Sequence, residues 1–183
     1  QVGAEVLATA SPPKWEALRN LGVKHIMNSR TLEFADQVME ITQGQGVDIV
    51  LNSLTSGEFL SKSMSVVTQG GRFVEIAKRG VWSSSQVAAV RPEVCYFVVD
   101  LVKESIEQPE LINSMLVGLK EKFGNGLLQP PPIKVFPIEE VIDAFRYMQQ
   151  AKHIGKIVVT QTQLGDGETQ KPLSFRSEPS YLI

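Results

Sequence analysis

Two short apolar runs constrain this chain more than anything else in it: Gly46-Val47-Asp48-Ile49-Val50-Leu51-Asn52-Ser53-Leu54 and Gly70-Gly71-Arg72-Phe73-Val74-Glu75-Ile76-Ala77-Lys78. Each ends abruptly in polar residues, and a stretch of helical periodicity separates them. A strand buried on both faces of a parallel sheet reads as a near-continuous hydrophobic run, and ligands bind beyond its carboxyl end. Asn52, Ser53 and Lys78 are therefore expected on the rim of one crevice.

The rest of the chain repeats the alternation. Residues 5–10 read as a strand, and Ser11-Pro12-Pro13 as a helix start with a serine cap and proline at the first helical position. Trp15, Leu18 and Leu21 follow at helical spacing up to Gly22. Residues 23–27 form a second short strand. A helix over 31–42 presents Phe34, Val38 and Ile41 on one face. Strand 48–52, helix 58–67 and strand 72–77 come next, then a looser region and the apolar run 94–99. Residues 109–123 predict a helix with Leu111, Met115, Leu116 and Leu119 inward. The prolines 130–132 break it, and strand 133–136, a helix from 137 to 149 and strand 157–160 complete the order. Strands alternating with helices predict an α/β fold, a doubly wound parallel sheet of Rossmann type. Its first strand and glycine-rich turn are lacking, because no G-x-G-x-x-G occurs and the chain begins where a second strand would.

Composition narrows the function classes. Hydrophobic residues make up 43% and charged residues 21% of 183, as in ordinary globular proteins. A net charge of −2 gives no electrostatic reason to expect nucleic acid as a partner. No apolar stretch approaches the roughly 20 residues of a membrane span, and no signal peptide is evident, so a cytoplasmic protein is the expectation. The single cysteine, Cys95, lies in an apolar run and reads as a buried thiol. With only His25 and His153 beside it, no metal site is expected.

The residues that end the strands carry the chemistry. An NAD-specific site usually places an acid at the end of the second strand to bind the ribose 2′-hydroxyl. Here that strand ends in Ser11, followed by Lys14, with no acid before Glu16. A hydroxyl and a cation suit a 2′-phosphate, which favours NADPH, and Arg30 after the next strand could reach the same group bidentately. The plainer alternative is that Ser11 only caps a helix and Lys14 is solvated. Lys78 at its strand's carboxyl end could serve an oxyanion or donate a proton, and Asp100, ending the next apolar run, could orient it. Glu75 is an unusual polar residue inside an apolar strand. Lys152-His153-Ile154-Gly155-Lys156 precedes the last strand, where cations and a glycine also suit a helix end.

The runs VDIVLNSL, GGRFVEIAK, the region of Asp100 and AFRYMQQAKHIGKIVV together resemble the enoyl reductase domain of modular polyketide synthases. These domains belong to the medium-chain dehydrogenase/reductase superfamily and are related to the animal fatty acid synthase enoyl reductase. The resemblance covers residues 1–162. It implies NADPH-dependent reduction of the 2,3-double bond of an enoyl thioester on an acyl carrier protein. It also implies Lys78 and Asp100 as catalytic residues, with Ser11, Lys14, Arg30, Asn52, Ser53, Gly155 and Lys156 around the cofactor. Residues 163–179 read as a linker, and 180–183 resemble the start of a ketoreductase domain, so neighbouring ketoreductase and dehydratase domains are expected partners. The family's substrate-binding half, with its tyrosine proton donor, is not in this sequence, and the chain reads as a piece of a longer polypeptide. A free-standing quinone oxidoreductase of the same superfamily and a non-catalytic structural domain are the competing readings.

Overall fold

In a computed structural model, which describes residues 3–151 and 153–161, the chain divides into two compact units, Gln1–Pro130 and Pro131–Ile183. The expected linker and ketoreductase start lie outside the described residues.

The first unit begins with β1 (Leu7–Ala10), a 3-10 turn (Pro12–Lys14), α1 (Trp15–Asn20) and β2 (His25–Asn28). β1 and β2 pair in parallel from Leu7↔His25 to Ala10↔Asn28. After α2 (Phe34–Ile41) come β3 (Val47–Asn52), α3 (Phe59–Ser65), β4 (Val67–Glu75), α4 (Ser84–Val90) and β5 (Cys95–Val98). These three strands form a parallel sheet in the order β3-β4-β5, with Asn52 opposite Glu75 and Glu75 opposite Val98. The register shifts early in the ladder: while β3 advances from Val47 to Ile49, β4 advances from Val67 to Arg72. The bulge begins where Gly46 packs against Val66. At φ +79°, an added Cβ would lie 2.4 Å from the Val66 carbonyl oxygen, so only glycine fits.

The predicted α/β order with all-parallel pairing is what the structure has, but the sheet is interrupted. β1 and β3 are not paired with each other, and a cavity of about 730 Å³ lies between them, lined by Leu7, Ala8 and Thr9 on one side and Val47, Ile49 and Leu51 on the other. The gap falls where the strand expected with the glycine-rich turn would pair. Two apolar clusters hold the unit together. Leu60, Met64, Val67, Phe73, Val87 and Val94 pack between the β3-β4-β5 sheet and the helices α3 and α4. Met27, Phe34, Ala35, Val38 and Val66 join β2 to α2. Each of these side chains other than Ala35, once buried, contributes about 1.5–3 kcal/mol before entropy is counted.

Among the described residues only one face of the three-stranded sheet is covered, where the sequence predicts strands buried on both sides. Ile49 and Leu51 are 58% and 69% exposed, while Phe73, on the helix-covered face, is 0% exposed. Cys95, expected to be buried, is exposed for the same reason: its neighbour Tyr96 turns inward to Phe73, which sends Cys95 to the bare face. Beyond β5 lie α5 (Leu101–Glu107) and α6 (Pro109–Gly124). The α6 residues Leu111, Met115, Leu116 and Leu119, expected inward, are all exposed. Their spacing gives one apolar stripe, but nothing among the described residues buries it.

The second unit pairs β6 (Ile133–Pro137) with β7 (Lys156–Thr160) in parallel, connected through α7 (Val141–Gln149). Among its described residues Phe136 and Ala144 are the buried side chains, and Lys134 sits 3.9 Å over the Tyr147 ring.

Candidate active site

The carboxyl ends of β3, β4 and β5 come to one edge because the strands are in register there. Beyond the last paired residues the ladder continues by single bonds: Ile76 N–H donates to the Asn52 carbonyl (3.0 Å) and Val99 N–H to the Glu75 carbonyl (2.8 Å). Ser53, Lys78 and Asp100 therefore lie just beyond three adjacent strand ends, although β4 ends at Glu75, two residues before the strand end read from the sequence. The Lys78 ammonium donates to Asp100 Oδ1. Asp100 is also the N-cap of α5, accepting from the N–H groups of Val102 (3.0 Å) and Lys103 (3.3 Å). The Lys78 hydrogen bond, followed by the bonds from those amides, holds the Asp100 carboxyl below its ordinary value. Both side chains remain about half exposed, so the lysine is oriented without being taken out of reach of a ligand.

Asn52 is placed differently from Ser53. It is only 4% exposed, and its amide nitrogen donates to Glu75 Oε2 (2.7 Å) and to the Leu54 carbonyl (3.2 Å). The amide is thus committed within the protein, while Ser53 is exposed on the rim. Glu75 itself, 0% exposed, accepts a second hydrogen bond from Ala77 N–H (2.7 Å). Thr55 Oγ1 donates to the Arg79 carbonyl (2.7 Å), fastening the two loops to each other. The Tyr96 phenol, which donates to the Trp82 carbonyl (2.9 Å), is pushed above its ordinary value by burial and then by the Glu75 charge. Glu75 is the residue to which sequence reasoning assigns no role; its signal is a carboxyl group in the middle of an apolar run.

Ser11, Lys14 and Arg30 gather at the carboxyl end of the β1–β2 pair. Ser11 occupies the cap position yet makes no capping hydrogen bond. Pro13 has no N–H to offer, and the Lys14 N–H is taken by the Ser11 carbonyl (2.9 Å). Ser11 thus holds the expected cap position, but its hydroxyl is not spent on a capping bond. Ser29 N–H donates to the Ala10 carbonyl (3.1 Å) and Arg30 N–H to Asn28 Oδ1 (3.0 Å), which brings Arg30 to the same end. Among the described residues neither Lys14 nor Arg30 has an ion-pair partner. A hydroxyl and two unpaired cations fit the phosphate of a dinucleotide.

Gly155 and Lys156 belong to the second unit and open β7. Lys156 N–H donates to the Pro132 carbonyl (2.9 Å), and Gly155, at φ +85°, passes so close that a Cβ would lie 1.9 Å from that oxygen. Gly155 thus has a structural reason of its own, the close approach of β7 to Pro132.

A family profile described as zinc-binding dehydrogenase matches residues 21–159. The chain belongs to this family, the medium-chain dehydrogenase/reductases. A phenolphthiocerol/phthiocerol polyketide synthase protein of Mycobacterium tuberculosis is 37% identical over the whole of this chain, which spans 9% of that protein. Among solved structures, the CurK enoyl reductase is 54% identical with a TM-score of 0.79, over 86% of this chain and 47% of that one. The nucleotide-binding subdomain of the enoylreductase domain of PpsC from Mycobacterium tuberculosis is 37% identical with a TM-score of 0.62, over 70% of this chain and 73% of that one. The chain thus spans under a tenth of that synthase protein and about half of the CurK enoyl reductase. Among the described residues no three His, Cys, Asp or Glu side chains are placed to hold a metal ion. No helix among the described residues is long and apolar enough to cross a membrane.

Proposed function

We propose that this chain is the cofactor-binding portion of an enoyl reductase that uses NADPH to reduce the 2,3-double bond of an enoyl thioester during polyketide chain elongation. The observation that carries the reading is the Lys78–Asp100 pair at the common carboxyl edge of β4 and β5, in a chain 54% identical to an enoyl reductase. Reduced nicotinamide, when bound, supplies the hydride that goes to the β-carbon of the thioester. The protein must then stabilise the negative charge that develops on the thioester oxygen and see a proton delivered to the α-carbon. Lys78 supplies a positive donor for that oxygen, and Asp100 holds the ammonium charged and aimed along the rim. Ser11, Lys14 and Arg30 hold the 2′-phosphate and thereby select NADPH. Ser53 borders the same cleft. The acyl chain arrives on an acyl carrier protein, with ketoreductase and dehydratase domains as neighbours in a cytoplasmic synthase.

The deciding experiment is Lys78→Ala in the full-length protein, assayed by single-turnover reduction of a crotonyl carrier-protein substrate with product identified by mass. We expect the rate to fall by about 10²–10⁴-fold, the usual contribution of one positioned acid or oxyanion donor. NADPH affinity is expected to stay largely intact. An unchanged rate would remove Lys78 from the mechanism.

A further inference from the structure

Glu75 has no place in the chemistry above, yet it is 0% exposed and lies at the last paired position of the central strand. Burying a carboxyl group is costly unless both oxygens are satisfied. Here Oε2 accepts from Asn52 at the end of β3, and Oε1 accepts from the backbone of Ala77, the residue before Lys78. One side chain thus ties together the two chain segments that carry Ser53 and Lys78. Resting on the enoyl reductase reading, we infer that Glu75 is a positioning residue: it sets the Asn52–Ser53 rim and the Ala77–Lys78 turn at a fixed separation, so that cofactor and lysine are presented in register.

The chemistry makes glutamate specific. Both partners are donors, so both carboxyl oxygens must accept. Glutamine has one acceptor oxygen, and its amide NH₂ would face either the Asn52 amide or the Ala77 N–H, donor against donor. Exchanging the partners' roles removes the conflict. In the double variant E75Q/N52D, the glutamine oxygen accepts from Ala77 N–H and its NH₂ donates to the new aspartate. The bond from Asn52 to the Leu54 carbonyl is lost, and that carbonyl then faces a carboxylate oxygen, so the rescue is expected to be partial.

The test compares the full-length wild type with E75Q, N52D and E75Q/N52D by two readouts. Amide hydrogen exchange reads the clamp without reference to activity. E75Q is expected to accelerate exchange at Ile76 and Ala77 while the Phe73 amide stays protected, and the double variant to restore protection in part. Steady-state reduction of the crotonyl carrier-protein substrate reads the consequence. In E75Q, kcat per folded molecule is expected to fall about 10–100-fold, the scale of an ångström-level misplacement, with KM for NADPH raised, and the double variant should recover part of both. The inference is overturned if exchange accelerates evenly across β3, β4 and β5, or if kcat and KM per folded molecule are unchanged, since either result makes Glu75 a core group only. A wild type that turns over no enoyl substrate would instead refute the parent reading. The exchange pattern and the rescue would then still decide whether the clamp exists.

Discussion

Replacing Phe73 by alanine should cost far more stability than the same replacement at Phe97, although both are phenylalanines on adjacent strands of one sheet. Phe73 is 0% exposed, packs with Leu60, Met64 and Val87, and meets Tyr96 at a ring distance of 5.9 Å. Truncating a fully buried Phe removes its transfer free energy and leaves a cavity, together about 3–5 kcal/mol. Phe97 lies on the bare face and is 49% exposed. Half of the burial is absent and the space left opens to water, so the loss there is about 1 kcal/mol. With a urea slope of about 1–3 kcal/mol per M for a domain of this size, a difference of about 3 kcal/mol separates the two midpoints by about 1–3 M. Urea unfolding of the 183-residue chain, followed by far-UV circular dichroism, measures this directly. Equal midpoints for the two variants would refute the one-sided sheet, and with it the account of how the β4 strand end is anchored.

Three further outcomes follow from the site. The Ser11 hydroxyl and the Lys14 and Arg30 cations, unpaired among the described residues at the β1–β2 end, predict that Ser11→Ala, Lys14→Ala and Arg30→Ala each weaken NADPH binding in the full-length protein while leaving NADH binding nearly unchanged; equal titration curves for the two cofactors in the wild type would refute the 2′-phosphate assignment. Asp100 is held below its ordinary value of 3.8, so its contribution is present above that pH and is lost as pH falls through the lower folded-state value. Asp100→Asn keeps the cap and removes the charge; the difference in unfolding midpoint between it and the wild type should be constant from pH 7 to about 5 and shrink below pH 4, whereas a difference that grows in acid would contradict the pairing. Gly155→Ala should disrupt β6–β7 pairing, because its Cβ would meet the Pro132 carbonyl at 1.9 Å; wild-type thermal stability in this variant would show that the close approach is relaxed in solution.

Much of the site is legible in the order of residues. The runs ending at Asn52 and Lys78 are β3 and β4, and Lys78 and Asp100, each following the end of an apolar run, form an ion pair. What periodicity does not reveal has physical reasons. α4 hides in a looser region, although Ser83 and Gln86 form a capping box with each side chain bonded to the other's backbone. α5 is unmarked because Asp100 reads as a rim carboxylate, and only the folded chain shows that it is also the N-cap of that helix. The exposed stripe of α6 and the exposed Cys95 share another cause: periodicity says which residues share a face, and only packing says which faces are covered.

By itself, then, the sequence determined the order of the strands, most of the helices between them and their parallel pairing, because these follow from local periodicity, turn chemistry and the twist-compatible connection of neighbouring segments. Tertiary structure alone decided which polar groups are free and which are spent. The ladder register turns the Asn52 amide inward, and the same register buries Glu75 between two donors. Hydrogen-bond satisfaction depends on partners distant in sequence, so it is settled only when the strands are side by side.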